Sequence, residues 1–307
     1  MPFSLIDQLH NTPIAVVDVE TTGASAELGD RVIELGIVRI ERGQIVSQYS
    51  KLIDPQRRIN RGVIALTGIT HDMVSGQPTF IQQLDPMMKV LSGAVVVGHN
   101  IRFDLQFLRK ELRKCGLDIA DALGNAPVFD TVRIARRRFG RGGNGLQRLA
   151  PRLGVFPSVA HRALADAHTT AGVLERLIEP CGSWSMCLCD LMREQGGPMN
   201  LHPVSPRETL LPLELEEALE QKCSVMMEYL DARDRRTQRA IQPLEVRRRN
   251  GEMLLVAHCK LRDDRRTFKL ERIIQLSRIE PQEPASSAQT WARQAGKSVE
   301  AMSLFDD

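Results

Sequence analysis

Aromatic side chains are scarce in this sequence, 4% of 307 residues. A single-strand platform built from several exposed stacking rings is therefore not indicated. No apolar run approaches the roughly 18 residues that a membrane span requires. The start, MPFSLIDQLH, lacks a basic segment leading a long apolar one. The six cysteines show no framework spacing, so no disulfide scaffold is predicted. Cys181, Cys187 and Cys189, with His202 beyond, fit no zinc spacing. Trp184, Leu188, Leu191 and Met192 recur there at helical intervals, and the cysteines read as small apolar residues on that helix. These absences predict a soluble protein of a reducing, cytoplasmic compartment. Charge imbalance is missing too: 41 basic against 38 acidic residues leave a net +3.

What is present begins with uneven charge. Between Thr131 and Pro157 stand seven arginines (Arg133, Arg136, Arg137, Arg138, Arg141, Arg148 and Arg152) and no acid; from Asp231 to Arg272, thirteen Lys/Arg face seven Asp/Glu. Two separate basic regions suit a polyanion such as nucleic acid, although either alone fits a solvated surface. At 42% hydrophobic, the chain holds enough apolar material for two domains.

The first 180 residues alternate β-branched runs with amphipathic segments. IAVVDVE (14–20), RVIELGIVRI (31–40) and QIVSQYSKLI (44–53), divided by turns such as ERGQ, predict an antiparallel meander. A helix near 79–91, a buried strand AVVVG at 94–98, a helix at 103–114, a strand at 127–130 and helices near 131–138, 145–153 and 162–178 follow. The predicted fold class is α/β, a mixed sheet covered by helices on both faces. GGPMNLHPVSPRETLLP (196–212), with four prolines, reads as a linker. A helix at 213–222 and strands near 224–230, 239–247, 252–260 and 265–270 make a smaller β-rich unit. Beyond Pro281 the chain is polar and without period, which predicts flexibility.

Several carboxylates sit where apolar residues belong. In VVDVETTG, Asp18 and Glu20 are two apart on a strand and share a face. In HNIRFDLQFL, Asp104 falls among Phe103, Leu105, Phe107 and Leu108 on the apolar side of a helix. In HRALADAHTT, Asp166 shares its face with Thr170, Val173 and Leu174, and His161 precedes the helix. Singly, each has an ordinary explanation: a frayed strand end for Asp18 and Glu20, a helix cap for Asp104, an ion pair for Asp166. Glu111 also lands near an apolar face and is assigned no role. Taken together, four hard oxygen donors suit Mg²⁺ or Mn²⁺ rather than zinc. Two such ions can activate water against a phosphodiester.

DVETTG, HNIRFDLQFL and HRALADA, with GDRVIELGIVRI and GGNGLQRLAPRLGV between them, resemble the motifs of histidine-containing DEDD-type 3′→5′ exonucleases (DEDDh, DnaQ-like), of the kind found as bacterial proofreading subunits. The resemblance covers about residues 13 to 178 and implies a ribonuclease H-like fold. It implies that Asp18, Glu20, Asp104 and Asp166 bind two divalent ions, Mg²⁺ or Mn²⁺, and that His161 is the general base. Thr21, Thr22 and Asn100 would border the terminal nucleotide. The expected activity is removal of mononucleotides from DNA 3′ ends in proofreading, repair or end trimming. Exoribonuclease activity is the alternative within the class. The second unit resembles a WYL domain at Tyr229, Arg239, Pro243, the RTF at 266–268, Leu270, Arg272 and Ile273. It departs at Met253-Leu254-Leu255, where Trp-Tyr-Leu is expected. The resemblance implies an anion site from Arg239, Arg266 and Arg272, and a further alternative, a nucleic-acid-binding regulator with an idle nuclease. Finally AMSLFDD resembles the bacterial sliding-clamp binding motif through Met302, Leu304 and Phe305, with Ala301 in place of the leading glutamine. The expected organisation is an exonuclease domain at 1–180, helix and linker at 181–212, a WYL-like domain at 213–281 and a tail at 282–307, in a bacterial, nucleoid-associated protein.

Overall fold

The structure, a computed structural model, describes residues 3–157, 159–199, 201 and 211–279. The clamp-like peptide at Met302, Leu304 and Phe305, and His202, lie outside the described residues. Strands β1 (Ile14–Thr21), β2 (Val32–Glu41) and β3 (Gln44–Leu52) form the expected antiparallel meander. Two short helices, α1 (Arg61–Thr67) and α2 (His71–Val74), lead to α3 (Leu84–Leu91) and β4 (Val95–Gly98). Then come α4 (Arg102–Lys114), α5 (Ile119–Ala122), β5 (Val128–Asp130), α6 (Thr131–Phe139), α7 (Leu146–Arg152), α8 (Ala163–Ile178) and α9 (Leu188–Glu194). The sheet order is β3-β2-β1-β4-β5, with β4 parallel to both β1 and β5.

Alternation along β1 divides the core. Ala15, Val17 and Val19 join Leu105, Phe107, Leu108 and Met87 on one face. Ile14 and Val16 join Ala167, Val173, Leu174 and Leu177 of α8 on the other. Asp18 and Glu20 continue the even-numbered row, so they emerge on the α8 side. Helix α8 crosses at Gly36 of β2, which pairs with Asp18. A Cβ there would lie 2.3–2.4 Å from the backbone of Ala163 and Leu164, so only glycine admits the helix this close.

The second sheet comprises β6 (Val225–Leu230), β7 (Arg236–Arg249), β8 (Glu252–Cys259), β9 (Asp264–Lys269) and β10 (Ile273–Arg278), ordered β10-β6-β7-β8-β9 and wholly antiparallel. Helix α10 (Leu213–Gln221) plugs one face with Leu215 and Ala218 against Met227, Ile241, Leu255 and Phe268.

The arginine-rich run is not simply a polyanion surface. Arg136 pairs with Glu216 and Glu217 of α10, and Arg141 with Glu220 (3.0 Å). Arg138 reaches Glu194 (3.2 Å) and the Cys181 thiol. Cys187 is not a plain apolar filler either. It precedes α9, and its thiol donates to Asp190 Oδ2 at 2.9 Å. No helix of the described residues is long and apolar enough to cross a membrane.

Candidate active site

A single cavity of about 480 Å³ opens at the C-terminal end of β1, and Asp18, Glu20, Asp104, His161 and Asp166 all line it. Each arrives on a different device. Asp104 is the third residue of α4 and does not cap it; its Oδ1 accepts from the Val19 amide of β1 at 3.0 Å. That bond ties the second motif to the first and satisfies a carboxyl only 4% exposed. Asp166 makes no arginine pair among the described residues. Its Oδ2 accepts from the His161 N–H and its Oδ1 from Gln147 Nε2, both at 3.0 Å. His161 sits in the left-handed region, φ 59°, a conformation that this hydrogen bond helps to hold. Glu20, His161 and Asp166 each present a ligand atom within 4.8 Å of the other two.

The arginine pair that would have been the ordinary explanation for Asp166 is found at Glu34, which lies opposite Glu20 on β2. Arg162 grips it with two nitrogens (Nε 3.0 Å to Oε2, Nη2 2.7 Å to Oε1), and the Ala163 amide adds a third donor at 2.9 Å. Glu34, 2% exposed, thereby anchors the segment that carries His161. Sequence reasoning missed it, although a glutamate inside the apolar run VIELGIV was a readable signal. Glu111, left without a role, makes a buried pair with Arg31, Nη2 to Oε2 at 2.8 Å.

Burial sets the electrostatics. Asp18, Glu20 and Asp104 are raised well above the ordinary carboxylate range, chiefly by desolvation. The charges acting on Asp18 are all negative: Asp104, Asp166, Glu20 and Glu34. Asp166 is pushed up to about 6 by burial, against the two hydrogen bonds it accepts. His161 is lowered by burial, so it is neutral at pH 7. Four mutually repelling carboxylates in a partly dry cavity are a costly arrangement that divalent cations relieve. The donor set, all hard oxygen with one neutral imidazole beside it, fits Mg²⁺ or Mn²⁺.

The remaining predicted residues divide. Thr21 and Asn100 line the cavity. Asn100 is also left-handed (φ 60°), its N–H given to Asp130 Oδ1 at 2.9 Å. Thr22 is not in the wall; its N–H donates to the Arg31 carbonyl, its carbonyl accepts from Asn60, and its hydroxyl donates to Asp30. None of Arg239, Arg266 and Arg272 lines the cavity. Arg272 Nη1 is spent on the Asp231 carbonyl (2.8 Å), and Arg266 lies on β9, separated by β8 from the Arg239 strand.

A family model described as exonuclease (RNase_T) matches residues 15–174, just over half of the chain. This chain belongs to the exonuclease family. A second model, the WYL domain, matches residues 212–278 of the same chain. The exonuclease region is 38% identical over 172 residues to the 3′-5′ exonuclease DinG of Bacillus subtilis, covering 56% of this chain and 18% of that protein. It is 32% identical over 212 residues to a PolC-type DNA polymerase III of Halalkalibacterium halodurans, covering 69% and 14%. The chain thus spans less than a fifth of these curated relatives. Among solved structures, exonuclease I superimposes with a TM-score of 0.52 at 14% identity, over 97% of this chain and 75% of that one. The nuclease domain of 3′hExo, a DEDDh family member bound to rAMP, superimposes with 0.50 at 17% identity, over 59% and 98%. These likenesses show the ribonuclease H-like fold. Members of the exonuclease family use divalent metals, in keeping with the carboxylate cluster.

Proposed function

We propose that this chain is a divalent-metal-dependent 3′→5′ exonuclease that hydrolyses the terminal phosphodiester of DNA and releases nucleoside monophosphates. The observation that carries the reading is the convergence of four acids, two of them buried (Asp104 and Asp166), and His161 on one cavity. DNA as substrate, and roles in proofreading, repair or end trimming, draw support from the names of the relatives, PolC-type DNA polymerase III and DinG.

Asp18, Glu20, Asp104 and Asp166 would hold two ions, Mg²⁺ or Mn²⁺. Such ions, when bound, lower the pKa of water and offset charge on the phosphoryl oxygens. The chain's own groups do the rest. His161, neutral through burial and beside Glu20 and Asp166, takes the proton of the attacking water on a ring nitrogen. Gln147 and the His161 amide fix the Asp166 carboxylate at both oxygens. Arg162 and Glu34 hold the loop between them. Thr21, Asn100 and Phe103 border the space for the terminal nucleotide. Residues 1–180 are the hydrolytic unit in this reading, and 213–281 the WYL unit.

The test is metal dependence on labelled single-stranded DNA. Excess EDTA should abolish nucleotide release, and added Mg²⁺ or Mn²⁺ should restore it. Full activity in EDTA would contradict the proposal.

A further inference from the structure

The cavity is not made by the exonuclease unit alone. Its wall continues through Leu213 and Glu214 of α10, Met253 of β8, Lys269 of β9, and Ile274 and Leu276 of β10. The WYL sheet therefore faces the catalytic carboxylates across a shared space.

Two independent attachments hold it there. At α1, a Cβ on Gly62 would lie 2.7–2.8 Å from the carbonyl oxygens of Glu271 and Ile273, so helix and strand meet backbone to backbone. Arg61 pairs with Asp234 beside that contact, and Arg236 Nη2 donates to the Ala65 carbonyl (3.4 Å). At the 140–148 segment, Glu217, 6% exposed, accepts from the Gly143 amide (2.9 Å) and Asn144 Nδ2 (3.3 Å) and pairs with Arg136. Residues next to both attachments, Val63 and Leu66 on one side and Leu146 and Gln147 on the other, line the same cavity. The second attachment also abuts the chemistry. Glu214 packs so tightly on Gly145 that a Cβ there would meet its Oε1 at 2.3 Å, and Gln147, two residues on, holds Asp166.

We propose that the WYL sheet is the second wall of the nucleolytic cleft, and that it makes the cleft a slot for one unpaired strand. A space of about 480 Å³ is of small-molecule size, against roughly 300–1,000 Å³ for such pockets. It has no room for a duplex whose major groove alone is about 12 Å wide. The walls around it are mixed. Leu66, Phe103, Met253 and Leu270 offer apolar surface to bases, while Arg57 and Lys269 are paired with Asp30 and Glu252 of the same wall. Met253, where a WYL domain is named for tryptophan, leaves the slot wider than an indole would. This inference rests on the hydrolytic reading above.

The test uses the full chain and three substrates: thymidine 5′-monophosphate p-nitrophenyl ester, a single-stranded oligonucleotide and a blunt hairpin of the same 3′ sequence. Wild type is expected to cleave the ester and the single strand, and the hairpin at least about tenfold more slowly than the single strand, a difference of about 1.4 kcal/mol. Met253→Trp should lower the rate on the single strand relative to the ester by about tenfold as well. Met253→Ala, which introduces no clash, should leave that ratio at or above wild type. Glu217→Ala, which loosens one attachment, should bring the hairpin rate toward the single-strand rate. Equal wild-type rates on hairpin and single strand, or unchanged ratios in both Met253→Trp and Glu217→Ala, would overturn the slot while leaving the nuclease intact. A wild-type chain that cleaves none of the three would overturn the hydrolytic reading, and the slot with it.

Discussion

His161 sits in a left-handed backbone conformation, its backbone N–H donating a hydrogen bond to Asp166 Oδ2 and its ring beside that carboxylate and Glu20. If it is the base, His161→Ala should slow hydrolysis by about 10²–10⁴-fold. Because burial lowers its pKa from the ordinary 6.5, the wild-type rate should be insensitive to this group at pH 7 to 8 and fall at pH below 6.5. A variant rate equal to wild type across pH 6 to 8 would remove the role. The acids give a second test, read from stability. Asp166, raised to about 6, favours its protonated form in the fold, so its contribution is full below the ordinary 3.8 and is lost as pH rises through about 6. Cations compensate the ionised cluster, so Mg²⁺ or Mn²⁺ should raise Tm more at pH 7.5 than at pH 5. An equal gain at both values would argue against binding by these carboxylates. At this scale much was legible. Period-two alternation put Asp18 and Glu20 on one face, and helical spacing put Asp104 and Asp166 on apolar ones. Glu34 and Gln147 were not read out, since each acts through a partner 128 or 19 residues away.

Elements position these groups, and Gly36 shows how. Its missing side chain lets the start of α8 lie on β2, which delivers Asp166 over the even row of β1. Gly36→Ala should cost about 1–3 kcal/mol, the range for overpacking a filled site. It should also reduce nucleotide release by displacing Asp166. Thermal melting and the rate on labelled DNA check the two effects together; a variant with wild-type melting and activity would show that α8 tolerates the displacement. The long elements were readable because their hydrophobic periods are strong. Helices α1, α2 and α5, four to seven residues each, were not, and neither was β10. Short segments carry too few apolar positions to show a period, and β10 (IIQLSR) follows a one-turn 3₁₀ helix, Leu270–Arg272, that interrupts the strand pattern.

For the whole molecule, the distribution of charge takes on a different meaning from the one composition offered. The arginines of α6 and the GRGG turn meet an acidic helix, LELEEALEQ, about 80 residues later. Arg136 and Arg141 thus join the two units. A linear reading can count charges but cannot pair them across a linker. What the fold achieves is a set of mutually repelling carboxylates gathered from β1, α4 and α8 into one cavity. The most direct measurement is a time course with 5′-labelled single-stranded DNA and Mg²⁺ or Mn²⁺, run beside Asp18→Ala. The account predicts a ladder shortening from the 3′ end one nucleotide at a time, and no shortening with the variant. Internal cuts, loss from the 5′ end, or an Asp18→Ala ladder equal to wild type would contradict it.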